Sequence, residues 1–152
     1  MNPVLDRRQI LHIGAGALVV AAWGSTNGPA RAANDAQDLI NAFTGGKPVT
    51  EGKVRLDLPE IAENGNTVPM TVSVDSPMTE QSYVTEVLVV ADGNPRGGVA
   101  TFHFSPASGM AEANTRIRLA TTENVIAIAK MNDGSLFKAV KQVKVTIGGC
   151  GG

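Results

Sequence analysis

The residues most able to do chemistry lie at the C-terminal end, where the chain's only cysteine sits in the run Gly148-Gly149-Cys150-Gly151-Gly152. A single cysteine cannot form an internal disulfide, and a lone thiol in an oxidising compartment indicates intermolecular pairing or reactivity. Glycine has no Cβ and samples positive and negative φ alike, so residues 148–152 are expected to resist regular structure. The pattern predicts a flexible arm that extends about 17 Å and carries one nucleophilic sulfur.

The sulfur of such an arm cannot activate itself. An unperturbed cysteine has a pKa of about 8.5, so only a few per cent is thiolate at neutral pH. The thiol therefore needs a partner enzyme that deprotonates it or presents an electrophilic sulfur, as expected of a covalent substrate carrier. Bare glycines would also let the arm thread a narrow channel. Valine in place of Gly149 and Gly151 is then expected to leave folding intact but to block processing.

The same terminus has a simpler interpretation, because glycine-rich ends often have no role and a cysteine can occur in one by accident. Against this, an unprotected thiol in an oxidising space is a liability for disulfide formation and over-oxidation. The symmetrical placement of Cys150 between two glycine pairs favours a function.

The N-terminal segment predicts export. Arg7 and Arg8 precede an apolar run from Ile10 to Trp23, and the small-residue site Ala30-Arg31-Ala32 follows. These three parts form a secretory signal peptide, and the run is too short for a transmembrane helix of about 20 apolar residues. The paired arginines favour the bacterial twin-arginine (Tat) route over an ordinary Sec signal. We therefore expect residues 1–32 to be removed and the mature protein to reside in the periplasm.

Charge argues against nucleic acid as a partner. The full chain carries 13 basic and 14 acidic side chains, and removal of residues 1–32 leaves a net charge of −3. No basic block interleaves with aromatic residues, so the electrostatic pattern of nucleic-acid binding is missing. The mature chain has one cysteine and one histidine, His103, which is too few for a metal site, and no cofactor is expected.

The mature chain begins with one short helix and continues with strands. Ala36, Leu39, Ile40 and Phe43 recur at helical spacing, with Asn34 or Asp35 as the cap and Gly45 as the end. Alternating or continuous apolar segments then predict strands, with a hairpin at Asn132-Asp133-Gly134. These segments are KVRLDLP, TVPMTVSV, SYVTEVLVVAD, VATFHF, TRIRLA, NVIAIAKM, SLFKAV and QVKVTI.

Seven to eight short strands without intervening helices favour an all-β, immunoglobulin-like β-sandwich, with a small closed barrel as the alternative. The expected organisation is a signal peptide over residues 1–32, a helix plus sandwich over 33–147, and a flexible arm over 148–152. The continuous apolar run before Asp92 is typical of a strand buried on both faces.

Other polar features have ordinary explanations. The loops Glu63–Asn66 and Asp92–Gly98 look functional, but turn chemistry explains both. Arg116 and Arg118 could bind an anion, yet alternating charges on a strand usually mark its solvent face. His103 is interpreted as a residue on a sheet face rather than a ligand.

Beyond the arm itself, several segments resemble the SoxY family, the sulfur-carrier subunits of the bacterial thiosulfate-oxidising Sox system. The resemblance rests on VTIGGCGG, LPEIAENGNTVPMTVSVDSPM, ADGNPRGGVATFHFSP, TRIRLATTENVIAIAKMNDGS and the twin-arginine leader. It covers nearly all of the mature chain, and the terminal GGCGG motif is intact.

The resemblance implies a non-catalytic carrier that forms a heterodimer with a small β-sandwich partner, SoxZ. It implies that a c-type cytochrome enzyme couples thiosulfate to Cys150 as an S-thiosulfonate. A hydrolase would then release sulfate, and a sulfur dehydrogenase would oxidise the sulfane sulfur that remains. The expected arm residues are Gly148, Gly149, Gly151 and Gly152.

Two other classes of function stay open at this point. One is an exported immunoglobulin-like binding module with an incidental terminal thiol. The other is a ubiquitin-like carrier whose terminal Gly-Gly forms a thiocarboxylate, which the export signal and the high strand content disfavour.

Overall fold

The computed structural model of the chain describes residues 34–149. The predicted signal peptide and the three terminal residues from Cys150 therefore lie outside the described residues. Within the described part, no helix is long and apolar enough to cross a membrane.

The helical pattern near the mature N-terminus forms one helix, α1 (Ala36–Thr44), as predicted. At its start, Asn34 Oδ1 accepts the Ala36 N–H at 2.8 Å. At its end, Gly45 adopts the left-handed conformation with φ 60°, and its N–H donates to Asn41 O at 2.9 Å. Glycine is suited to this position because it has no Cβ to clash there.

Nine strands follow the helix, one more than the upper number predicted. They are β1 (Thr50–Glu51), β2 (Val54–Asp57), β3 (Ile61–Ala62), β4 (Val68–Val74), β5 (Val84–Ala91), β6 (Gly98–His103), β7 (Ala111–Ile117), β8 (Glu123–Met131) and β9 (Leu136–Val145). Strands β1 and β3 have two residues each and leave no alternation to detect. The segments SLFKAV and QVKVTI, expected as two strands, form the single strand β9.

The strands divide into two sheets. The larger has the order β1-β9-β8-β5-β6, with β3 also paired to β9, and the smaller has the order β2-β4-β7. This arrangement confirms an all-β sandwich and rules out the closed barrel. The predicted hairpin at residues 132–134 joins β8 to β9, and Gly134 lies there with φ 83°.

The main core lies between the two sheets. Strand β4 shows the predicted alternation, with Val68, Met70, Val72 and Val74 all buried against the larger sheet. Burial of one face and solvation of the other is the usual reason that a strand alternates in this way.

Strand β5 is buried on both faces, as its continuous apolar run predicts. Val87 and Val89 contribute to the core between the sheets. Leu88 and Val90 face the other way and lie in a second apolar cluster with Ala36 of α1. The helix therefore covers the outer face of the larger sheet over β5, which lies between β8 and β6.

Candidate functional site

The C-terminal residues that follow β9 form the candidate site, and the structure describes them as far as Gly149. We call residues 146–149 the arm root. Two backbone hydrogen bonds connect it to Gly65 and Leu119 of the domain, and a third joins Gly65 to Leu119. Gly65 N–H donates to Ile147 O at 2.7 Å, Leu119 N–H donates to Gly65 O at 2.8 Å, and Gly149 N–H donates to Leu119 O at 2.9 Å.

The start of the arm root is also paired. Thr146 N–H donates to Ala62 O at 3.0 Å, and its hydroxyl donates to Glu63 O at 3.0 Å. These bonds extend the parallel pairing of β3 with β9 beyond its last residue pair, Ala62 and Val145. The strand thus passes into the arm root without an unpaired gap.

Glycine is required in the arm root because backbone segments approach each other closely there. A Cβ on Gly148 would run into Ala120 O, and a Cβ on Gly149 would overlap the backbone of Gly65 and Asn66. A Cβ on Gly65 would overlap Leu119 O and lie 2.8 Å from Gly149 N. None of these three glycines has a positive φ, so contact rather than conformation selects them.

This geometry corrects the expectation for two of the arm residues. Gly148 and Gly149 were predicted to lie outside the sandwich on a free arm, whereas both pack against the domain. Valine at position 149 was expected to leave folding intact because the arm lies outside the core, and this premise is wrong for Gly149, which packs against Gly65. Cys150, Gly151 and Gly152 lie outside the described residues, and their predicted roles stay predictions.

The segment that receives Gly149 is positioned by a buried carboxylate at the start of β8. The Glu123 side chain is only 3% exposed. Its Oε1 accepts the N–H of Ala120 at 3.0 Å and of Thr121 at 3.5 Å, and its Oε2 accepts the N–H of Gly93 at 2.8 Å. The carboxylate therefore ties the β7–β8 connection to the β5–β6 loop.

Burial raises the pKa of the Glu123 carboxyl above its usual 4.5. Its backbone hydrogen bonds lower the pKa and so oppose the effect of burial, whereas the negative charge of Asp92 raises the pKa further. The donors favour the charged form, as expected for a carboxylate that accepts several N–H groups.

Asn94 is a second buried side chain that links the β5–β6 loop to the β7–β8 connection. Its Nδ2 donates to Arg118 O at 2.9 Å, and its Oδ1 accepts the Ala120 N–H at 2.8 Å. The Asn94 carbonyl in turn accepts a hydrogen bond from Asn34 Nδ2, which also donates to Ala91 O at 3.0 Å. One asparagine thus links the start of the described chain to the segment that receives its end.

The remaining candidates lie apart from the arm root. His103 is an exposed side chain whose Nδ1 lies 3.3 Å from Glu86 Oε1, and Glu86 also pairs with Lys130 at 3.1 Å. Arg116 and Arg118 are exposed, as a solvent-facing pattern predicts. No group of three metal-ligating side chains occurs within residues 34–149.

Sequence reasoning missed the three positions that receive or support the arm root. Gly65 lies in the loop Glu63–Asn66, and Asn94 lies in the loop Asp92–Gly98, both of which were attributed to turn chemistry. Glu123 gave no signal, because a glutamate at the start of a strand is ordinarily solvated. Of these three residues, only Gly65 is unusual in the sequence, because it lies between two asparagines and no tight hairpin explains a glycine there.

Comparison with known proteins assigns the chain to a family. The family model described as "Sulfur oxidation protein SoxY" matches residues 40–150, so the match includes the arm root and ends on Cys150. The chain belongs to the SoxY family. No curated protein matches the sequence.

Solved structures agree with this assignment. The sulfur carrier protein SoxY from Chlorobium limicola f thiosulfatophilum is 36% identical, with a TM-score of 0.62, over 73% of this chain and 96% of that one. A superoxide reductase from Ignicoccus hospitalis matches at 19% identity and a TM-score of 0.56, over 62% of this chain and 80% of that one. A superoxide reductase from Nanoarchaeum equitans matches at 13% identity and a TM-score of 0.54, over 63% and 100%. The two reductases share the fold of this SoxY-family chain.

Substitution of Gly149 by Ala should detach the arm root. The new methyl group would displace Gly149 from Gly65, and the Gly149–Leu119 hydrogen bond would be lost. A typical backbone hydrogen bond contributes about 1 kcal/mol. The amide proton of residue 149 should therefore exchange about fivefold faster in the variant than in the wild type. Gly151→Ala adds the same methyl group elsewhere on the arm and should leave this exchange rate unchanged. Equal rates in both variants and the wild type would show that position 149 tolerates a side chain.

Substitution of Glu123 by Gln should change how stability depends on pH. A carboxyl whose pKa is raised by folding binds its proton more tightly in the folded state. Stability therefore falls as pH rises from the unfolded pKa, about 4.3, through the folded pKa. The free energy of unfolding of the wild type minus that of Glu123→Gln should decrease over this range in urea titrations. A difference that rises with pH for Glu123→Gln would contradict the assignment.

Proposed function

We propose that this SoxY-family chain is a covalent carrier of sulfur intermediates in thiosulfate oxidation. The substrate is held on the Cys150 thiol as an S-thiosulfonate or persulfide while partner enzymes process it. The observation that carries the proposal is the family match, which extends through the arm root to the chain's only cysteine. The similarity to a sulfur carrier protein at 36% identity supports the same role.

The proposed steps balance without any catalytic group on the carrier. Coupling of the thiol to thiosulfate forms one S–S bond, releases the thiol proton and removes two electrons, which a c-type cytochrome enzyme accepts. Water then cleaves the bond between the two cargo sulfurs and releases sulfate, which leaves a persulfide on Cys150. A sulfur dehydrogenase oxidises that remaining sulfane sulfur to a sulfonate with three waters, which releases protons and passes six electrons to a cytochrome acceptor. Water then releases the sulfonate as a second sulfate and restores the Cys150 thiol. The chain is therefore a substrate carrier and not an enzyme.

The arm root sets how far the thiol can reach. With Gly149 bound to Leu119, the Cα of Cys150 lies about 3.8 Å from the Cα of Gly149, because consecutive Cα atoms are separated by that distance. If the root detaches back to Val145, residues 146–150 extend about 17 Å. The carrier thus has a short state, in which partners must approach the domain, and a long state, in which the thiol enters their active sites.

Partners and compartment follow from the same proposal. The carrier pairs with a SoxZ-type small β-sandwich subunit and contacts the cytochrome enzyme, the sulfate-releasing hydrolase and the sulfur dehydrogenase transiently. The twin-arginine leader over residues 1–32 exports it to the periplasm. Folded export would suit a chain that leaves the cytoplasm with its subunit already bound.

The alternative function is an exported immunoglobulin-like binding module whose terminal thiol is incidental. Its support is the sandwich architecture, which the chain shares with proteins of unrelated activity. The docked arm root argues against it, because two glycines that admit no side chain are ordered immediately before the cysteine.

Intact-mass measurement separates these functions. The mature protein exposed to thiosulfate and the cytochrome enzyme should gain the mass of a thiosulfonate group, and reductant should remove it. Cys150→Ser should gain nothing, while its thermal unfolding should match the wild type within about 0.5 kcal/mol, as expected of a substitution outside the core. A wild type that acquires no adduct under these conditions would leave only the binding-module function.

Complex formation with the SoxZ-type subunit is a second test. Sedimentation of the two mature proteins at micromolar concentration should give a heterodimer of one copy each. Cys150→Ser should give the same complex, because the proposed pairing does not use the thiol. Two separate species in the wild-type mixture would contradict the partner assignment.

A further inference from the structure

A surface depression lies beside the segment that receives the arm root. It has a volume of about 280 Å³ and lies between the first half of β6 and the end of β7, at the open edge of the two sheets. Arg116, Arg118 and Asn94 contribute to its lining. Thr115 and the backbone of Gly98 complete its polar surface.

Two guanidinium groups give the depression a positive charge. None of the ion pairs formed among residues 34–149 involves Arg116 or Arg118, so neither charge is neutralised by a carboxylate there. The one side-chain hydrogen bond found for them joins Arg116 Nη1 to Thr67 Oγ1 at 3.4 Å. Each guanidinium has five N–H donors, so most of the donors remain available to a ligand.

The depression is joined to the arm root through the backbone. Arg118 immediately precedes Leu119, whose carbonyl accepts the Gly149 N–H at 2.9 Å. Asn94, which lines the depression, donates to Arg118 O at 2.9 Å and accepts from Ala120 N–H at 2.8 Å. Arg118 and the attachment point of the arm therefore belong to one short segment, residues 118–120, and Arg116 lies two residues before it.

We propose that Arg116 and Arg118 form a binding site for the oxyanion end of the cargo on Cys150. The inference rests on the proposed carrier function, because it deepens the role of the same arm. In the docked state the sulfonate of a loaded cysteine occupies the depression, and detachment of the arm root withdraws it. The ligand class is a tetrahedral sulfur oxyanion.

The chemistry of the two groups is complementary. Guanidinium is planar and always charged, and it binds tetrahedral oxyanions through two parallel N–H···O bonds. A thiosulfonate bound to cysteine ends in three oxygens that share one negative charge, whereas an unloaded thiol offers none. The site thus distinguishes the loaded carrier from the empty carrier by charge.

Attachment to the arm makes a weak site effective. A ligand tethered by a short linker has a local concentration in the millimolar range, so two exposed arginines need only millimolar affinity to hold it. The docked sulfonate would protect the S–S bond of the cargo from adventitious reductants while the carrier moves between partners.

The test measures that protection. Mature protein loaded with tetrathionate acquires the adduct directly: the thiol displaces thiosulfate from tetrathionate, which forms the cysteine S-thiosulfonate and releases one proton. An uncharged phosphine then consumes the adduct, and intact mass follows its loss. Arg116→Ala/Arg118→Ala should lose the adduct at least about threefold faster than the wild type at low salt, since a docked state that shields the bond lowers the rate by its population. At about 1 M salt the difference should vanish because the charges are screened.

Controls separate the site from net charge and from the arm. Arg55→Ala removes one arginine from β2, away from the depression, and should react like the wild type. Arg116→Lys/Arg118→Lys keeps both charges but loses the paired N–H geometry, and its rate should lie between the wild type and the double alanine variant. Titration of Cys150→Ser with free thiosulfate, followed by the amide signals of Asn94 and Arg118, reports whether untethered anion binds.

Each outcome decides one question. Equal rates for the wild type and the double alanine variant would overturn the binding site, while loading of Cys150 from thiosulfate by the cytochrome enzyme would still support the carrier function. Failure of tetrathionate to modify Cys150 would instead contradict the carrier function. Binding of free thiosulfate without protection of the loaded cysteine would show a site for dissolved anion and would also overturn the proposal.

Discussion

The backbone of Leu119 makes two hydrogen bonds on which the placement of the carrier arm depends. Its N–H donates to Gly65 O at 2.8 Å and its carbonyl accepts from Gly149 N–H at 2.9 Å. Both partners are glycines, and a Cβ on either of them would overlap backbone atoms of this cluster. The end of the sandwich is therefore extended by a short, irregular piece of sheet made from three distant parts of the chain.

Such a structure is stable only if the segment containing Leu119 is itself fixed. The side chains of Glu123 and Asn94 hold this segment in place through hydrogen bonds to the backbone of residues 118–121. Both side chains are buried, and each has its polar atoms paired, so the cost of removing them from water is offset by direct contacts. The arrangement places order up to the last residue before the cysteine.

The elements that sequence predicts well are those with a local signal. The alternation around Met70 fixed the inner face of β4, and the unbroken run ending at Ala91 indicated burial by both the other sheet and α1. Strands β1 and β3, with two residues each, are too short to show an alternation of apolar and polar residues. The role of Gly65 could not be found locally either, since its partners Leu119 and Gly149 are remote in sequence and the contact exists only after folding. Glu123 was hidden for a similar reason, because its burial depends on loops from two other connections.

Both ends of the described chain meet at one pole of the sandwich. Asn34 contacts the β5–β6 loop, whose Asn94 contacts the segment that binds Gly149. Strand β8 begins at this pole and runs nine residues, about 30 Å, to the hairpin at residues 132–134. An affinity handle or fluorophore attached near Asn34 would therefore lie at the same pole as Gly149, whereas one attached at the hairpin would lie at the opposite end of β8. Immobilisation through the hairpin would present the sulfur-bearing end to solution in a uniform orientation.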